Sequence, residues 1–311
     1  MKNFPAIRMA AGLFLAGVLN LNASGPAPGS LDALRKAAAS GDSKAEYALA
    51  KRYADGVGVR RDDAMAVEYL RKSAAQGYAP AETGLGSCYA HGHGVPLHLA
   101  EAVKWYRKAA AQGDALAEYS VGVAYANGGG APMDMNVALK WWRMAAEKGR
   151  MEAENALGQF YYHGKFPGDT ADINYTLASQ WLLKAAHQGS LPAMATLGYM
   201  YQYGVGGPPD WLQALKWNRL AAERGDAGAQ DDLGQMYENG NAGLPHDNVQ
   251  AYKWFLLSSR QGNKDGQHDI MEYQMHHILP PSEIAKAQTL ADQFRPLPAP
   301  ATGDDSKTAE H

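Results

Sequence analysis

The chain has 311 residues, of which 46% are hydrophobic and 20% charged, an ordinary composition for a folded soluble protein and one that excludes a disordered chain. Lys and Arg number 29 against 32 Asp and Glu, a net charge of -3, so no basic excess directs it toward phosphate backbones or anionic lipid. A single cysteine excludes an internal disulfide framework and a multi-cysteine zinc site.

Residues 1–25 read as a secretory signal peptide. Lys2 and Arg8 make a positive start, Met9 to Leu21 form a short apolar run, and Ala23, Ser24 and Gly25 follow as small residues suited to cleavage after Ala23 or Gly25. The run is shorter than the roughly 20 residues a spanning helix needs. No cysteine follows it to carry a lipid. The expectation is an exported protein, periplasmic or secreted. Residues 26–30 read as a flexible linker and Ser30 to Ser40 as a first, capping helix.

From there the string Ala-Ala-x-x-Gly recurs, ending at Gly41, Gly77, Gly113, Gly149, Gly189, Gly225 and, in a Ser-Ser version, Gly262. The spacings are 36, 36, 36, 40, 36 and 37 residues. Other positions keep phase with it. Ala45, Ala81, Ala117, Ala153, Ala193 and Ala229 stand four residues after each Gly. A further four on come Leu49, Leu85, Val121, Leu157, Leu197 and Leu233, and four more on Tyr53, Tyr89, Tyr125, Tyr161, Tyr201 and Tyr237. Steps of four place all three on one stripe of a helix, called A. Gly86, Gly122, Gly158, Gly198 and Gly234 directly follow the Leu or Val. A mid-helix Gly costs about 1 kcal/mol against Ala, so its recurrence predicts a close approach of two helices.

Helix A runs into a Gly-rich loop, then a capping residue: Asp62, Asp134, Asn174, Asp210 or Asp247, with His98 in the second repeat. Helix B follows with Ala66/Tyr69, Ala102/Trp105, Ala138/Trp141, Ala178/Trp181, Ala214/Trp217 and Ala251/Trp254, and closes on the next Ala-Ala-x-x-Gly. Each unit is helix, loop, helix, turn, and the Trp residues are predicted to pack between neighbouring units. The fourth loop, 163–174, is about four residues longer than the others, and the seventh unit has Tyr273 one position early and Gly266 for Ala. Ser282 starts a closing helix to about Phe294, and residues 296–311 read as a Pro-rich, then polar, disordered tail.

The pattern A-x-x-x-L-G-x-x-Y-x-x-G-x-G, then A-x-x-W-x-x-x-A-A-x-x-G, resembles the Sel1-like repeat, a relative of the tetratricopeptide repeat. The resemblance implies an all-α fold, an α/α right-handed superhelical solenoid over residues 31–274. It would hold six full units and terminal half-units, closed by a capping helix at 275–295. By the tetratricopeptide analogy it also implies a partner-binding groove on the A helices, two before and two and six after the Leu. Those positions are Tyr47, Lys51 and Asp55; Thr83, Ser87 and His91; Tyr119, Val123 and Asn127; Asn155, Gln159 and His163; Ala195, Tyr199 and Tyr203; Asp231, Gln235 and Asn239. Tyr with amides is a usual composition for a contact surface.

Other chemistry is weak. His91 and His93, with His98 near, suggest a metal, but other repeats fill the same loop slots with Val57, Gly129 and Val205. His276 and His277 read as a helix end. Cys88 reads as a small buried hydrophobe rather than a nucleophile. No phosphate loop, Gly-x-Ser-x-Gly, His-Glu-x-x-His or Ser-x-x-Lys string occurs. The expectation is therefore no catalysis, cofactor, metal or nucleic acid, and a protein or peptide partner. The resemblance implies an exported scaffold or adaptor. Its alternatives are a periplasmic immunity protein that neutralises a secreted toxic effector, and a peptidoglycan-fragment or β-lactam binder with weak hydrolysis. The latter belongs to cysteine-rich relatives. A spacer without a groove ligand is a further reading.

Overall fold

The computed structural model describes residues 30–164 and 173–298. The expected signal peptide, most of the fourth-loop insertion and the tail beyond residue 298 lie outside the described residues. Those residues form α-helices and one short 3-10 turn, with no strand among them. No described helix is long and apolar enough to cross a membrane.

Two compact units divide after Lys148. The first holds α1 (Leu31–Ala39), α2 (Ser43–Asp55), α3 (Asp63–Ala75), α4 (Ala79–His91), α5 (Leu99–Ala111), α6 (Ala115–Asn127) and α7 (Met135–Glu147). The second holds α8 (Met151–His163), α9 (Tyr175–His187), α10 (Leu191–Tyr203), α11 (Trp211–Glu223), α12 (Ala227–Asn239), α13 (Asn248–Arg260), α14 (Lys264–Met275) and α15 (Pro281–Gln293). Even-numbered helices up to α14 are the A helices; odd-numbered ones from α3 to α13 are the B helices. Each unit is an all-α solenoid of stacked A/B pairs.

The capping residues work as the sequence predicts. The Asp62 carboxylate accepts the Met65 N–H at 2.9 Å, and Asp134, Asn174, Asp210 and Asp247 do the same for their helices. His98 substitutes for Asp, its Nδ1 accepting from the Glu101 N–H at 3.1 Å. The N–H of the capping residue also returns to the carbonyl of the repeat Tyr: Asp62 to Tyr53, His98 to Tyr89, Asp134 to Tyr125, all at 2.8–2.9 Å. This bond closes each Gly-rich loop. The second loop glycine packs on the preceding repeat: at Gly94 and Gly130, both at positive φ, a side chain would collide with the backbone carbonyls of Asp63 and Leu99. Only glycine fits there.

The mid-helix glycines mark the predicted close approach. A Cβ on Gly86 would lie 2.7 Å from the Tyr106 ring, on Gly158 2.6 Å from Leu182, and on Gly234 2.6 Å from Phe255. The group that fills the gap stands one residue after the repeat Trp position. The Trp residues differ among themselves: Trp105 and Trp141, half-buried, pack on cores shared by their own and the preceding repeat, while Trp217 and Trp254 are buried. At the C-terminal end α15 lies against α13, with Phe294 edge-on to Trp254 at 5.6 Å between centroids. The first residues of the Pro-rich segment stay on the body, the Leu297 N–H donating to the Glu223 carbonyl at 2.8 Å.

A polar feature unread in the sequence repeats alongside the apolar core. One residue after the repeat Ala of the first four repeats stands a buried acidic group, Glu46, Glu82, Glu118 or Glu154. The side chain at the end of the same repeat's B helix donates to it: Gln76 at 2.8 Å, Gln112 at 2.7 Å, Lys148 at 2.5 Å and Gln188 at 2.7 Å. In the fifth repeat Met194 takes the acceptor position and Arg224 reaches its sulfur at 3.5 Å and the Gly189 carbonyl at 3.0 Å. In the sixth, Gln261 donates to Gln230 at 2.8 Å. Burial raises the carboxyls of Glu82 and Glu154 above their ordinary range.

Candidate partner-binding face

Steps of two and four from the buried Leu put the groove candidates on the outer shoulder of each A helix, and the helix-to-helix packing then sets which of them meet. In the first unit Tyr47 is half-buried, its ring edge-on to Tyr78 at 5.5 Å, and burial pushes its hydroxyl far up. Ser87 and His91 form a local pair: His91 Nδ1 lies 2.9 Å from the Ser87 carbonyl, and the His91 ring stacks on His93 at 5.6 Å. Thr83 is buried; Lys51, Tyr119 and Val123 are half-buried, and Asp55 and Asn127 are exposed. Cys88 is half-buried among the same helices, its thiol raised to about 11 by burial, which leaves almost no thiolate near neutrality.

In the second unit the candidates join into a network. Gln159 on α8 donates to the Thr196 hydroxyl on α10 at 2.8 Å. Tyr199 and Tyr203 on α10 lie with centroids 4.5 Å apart. The Tyr203 hydroxyl reaches Gln235 Oε1 at 3.1 Å and Asp232 Oδ1 at 3.3 Å on α12. Gln235 Nε2 donates to Asp231 Oδ2 at 3.0 Å, and Asn239 donates to the Gln235 carbonyl at 2.8 Å. His163 sits edge-on to Tyr162 at 4.6 Å, and burial lowers its pKa. Asn155 is half-buried, and Ala195 takes no polar part.

Asp231 behaves unlike a surface groove residue. It is 5% exposed, and its carboxyl lies within hydrogen-bonding reach of Asp269 on α14. Burial, then the neighbouring Asp269 charge, raises it to about 8, and Asp269 is raised as well, burial again leading. Such a pair shares one proton at neutral pH. Sequence spacing missed Tyr162, Asp232 and Asp269. For Tyr162 and Asp232 the signal was adjacency, each standing one residue from a position the analogy names; Asp269 lies on α14, where the analogy names none.

Six Sel1 repeats match this chain, over residues 43–78, 79–114, 115–149, 152–190, 191–226 and 227–263. The chain belongs to the Sel1 repeat family. No curated protein matches it. Among solved structures it is similar to c5321, a protective antigen present in uropathogenic Escherichia coli strains and displaying an SLR fold, with 34% identity and a TM-score of 0.73. That match covers 84% of this chain and 56% of the antigen, so the chain spans little more than half of that protein's length. A Sel1 repeat protein from Oxalobacter formigenes is 32% identical with a TM-score of 0.67, over 74% of this chain and 93% of the other. The Sel1 solenoid is a scaffold consistent with a protein-interaction module.

Proposed function

We propose that this Sel1 repeat protein is an exported, non-catalytic scaffold that binds a protein partner on the A-helix face of its second unit. The observation that carries the reading is the α8–α10–α12 network, which holds aromatic and amide side chains of successive A helices in one fixed arrangement with the Tyr203 ring 46% exposed. Preordered Tyr side chains give contact area at low entropic cost. The absence of catalysis is supported by the thiol chemistry at Cys88, where burial works against a reactive thiolate. Export is supported by the charged and apolar pattern of residues 1–25.

The test is capture from an envelope extract of the producing cell with the mature chain as bait, followed by titration of the purified captured protein. Tyr199→Ala/Tyr203→Ala is expected to weaken that titration by about tenfold or more, as loss of paired aromatic anchors does. Unchanged affinity in the double variant moves the interaction off this face.

A further inference from the structure

The first helix of the array is a B helix one turn short. α1 has 9 residues where α3 and α5 have 13, and Ser30 caps it, its hydroxyl accepting the Ala33 N–H at 3.3 Å. It otherwise keeps the register of the later repeats. The Asp42 N–H returns to the Ala37 carbonyl as the Tyr78 and Asp114 N–H groups return to Ser73 and Ala109. Arg35 stands 18 residues before Tyr53, as Arg71 stands before Tyr89 and Arg107 before Tyr125.

The turn that α1 lacks matters because later loops are seated on one. A Cβ at Gly94 would strike the Asp63 backbone, one at Gly130 the Leu99 backbone and one at Gly206 the Tyr175 side chain, and these are the first residues of α3, α5 and α9. Beside Gly94, Val95 is 9% exposed and joins the core of Val67 and Leu70. At Gly58 a Cβ would meet only the Arg52 guanidinium, at 3.1 Å, and Val59 is half-buried. A cavity of about 540 Å³ opens there, with Tyr53 and Val59 in its wall and Arg35, Arg60 and Arg61 around it.

The three arginines differ in how far they are engaged. Arg61 is held by both oxygens of Asp63, at 3.0 and 3.1 Å. The counterparts of Arg35 donate to the repeat Tyr hydroxyl at 3.1 and 2.7 Å, whereas Arg35 pairs with Asp32 at 3.6 Å, an exposed contact of little worth. Arg60 has no hydrogen bond or ion pair among the described residues. Asp62 also lines the cavity, its carboxylate accepting the Met65 N–H at 2.9 Å.

We propose that this cavity is a second binding site, on the first unit, and that it seats the acidic start of a helix from a protein partner. The shape follows from the repeat, since a helix start is what the later loops receive. The charge selects the chemistry. A helix start brings its own partial positive charge, so only one with Asp or Glu in its first turn complements Arg35 and Arg60. The chain already makes one such pairing here, between Arg61 and Asp63 in the first turn of α3. The inference does not depend on the A-helix face of the second unit.

The test uses the chain from Gly25 onward and labelled Ala-rich peptides of about 20 residues, long enough to hold a helix, read by fluorescence anisotropy. One peptide carries Asp and Glu in its first turn, one carries the same acids in its last turn, and one carries Gln in their place. The first is expected to bind about tenfold or more tighter than the other two. Arg35→Gln/Arg60→Gln is expected to weaken it by about tenfold or more, which is about 1.4 kcal/mol. Lys36→Gln/Lys44→Gln removes the same charge from neighbouring positions outside the cavity and is expected to cost much less. All four side chains are exposed, and a melting curve on each variant shows that it folds. Equal binding of the three peptides, or an equal loss in the two double variants, overturns the inference. So does binding by a chain begun at Ser30 with none by the chain begun at Gly25, which gives the seat to the protein's own leading residues.

Discussion

Asp231 ties the chemistry of the face to the stability of the fold. Its carboxyl moves from 3.8 to about 8 on folding, so the native state holds a proton that the unfolded chain releases. A raised folded-state pKa contributes stability that is fully present below about pH 4 and lost as pH rises through about 8. Asp231→Asn keeps a donor toward Asp269 without that cost. Its melting temperature is expected to exceed the native one at pH 8 and to show no such gain at pH 4; parallel melting curves at both values check this. The buried Glu118 offers a second, cleaner contrast. Its side chain is 1% exposed against Lys148, whereas Glu101 and Lys104 are 31% and 69% exposed. Lys148→Ala strands a buried charge and is expected to cost about 3–5 kcal/mol in denaturant unfolding. Lys104→Ala is expected to cost about 0–1 kcal/mol.

Between helices, the glycines decide how closely A and B pack. Gly158→Ala gains about 1 kcal/mol of helix propensity but drives a methyl to 2.6 Å from Leu182 Cγ and 3.1 Å from its backbone nitrogen, which cannot step aside. Overpacking of that kind costs about 1–3 kcal/mol, so a net loss of stability is expected, read as a lower urea midpoint at unchanged slope. The last helix pair depends on α15. Removal of residues 281–311 uncovers Trp254, now 5% exposed, and is expected to red-shift tryptophan emission. The accompanying cost is about 1.5–3 kcal/mol for the one large side chain. Period and caps made these elements legible in advance. Asp62 and Asp247 announce helix starts through local chemistry, and Gly86 announces a close neighbour by breaking propensity. The side chain that fills the space above Gly86 was not legible, because Tyr106 is chosen by packing against another helix rather than by its own stretch of chain. The same reason hid Asp269: two carboxylates in contact look like ordinary surface charges until α12 and α14 are placed together.

Taken as an array, the chain separates what holds it together from what it presents. Every buried Glu finds its donor inside its own repeat, Glu46 with Gln76 within 43–78 and Glu82 with Gln112 within 79–114. Between repeats the backbone packs closely as well, as where Gly94 abuts Asp63. The polar side-chain contacts that cross repeats include Gln159 with Thr196 and Tyr203 with Gln235 on the A-helix face, and Arg71 with Tyr89 and Arg107 with Tyr125 from a B helix to the next A helix. A recombination event that duplicates or deletes one of the first four copies whole therefore leaves each buried Glu with its donor, while it replaces neighbours along that face. In such a lineage array length drifts in steps of a full repeat, and each step rewrites recognition while the fold is inherited unchanged.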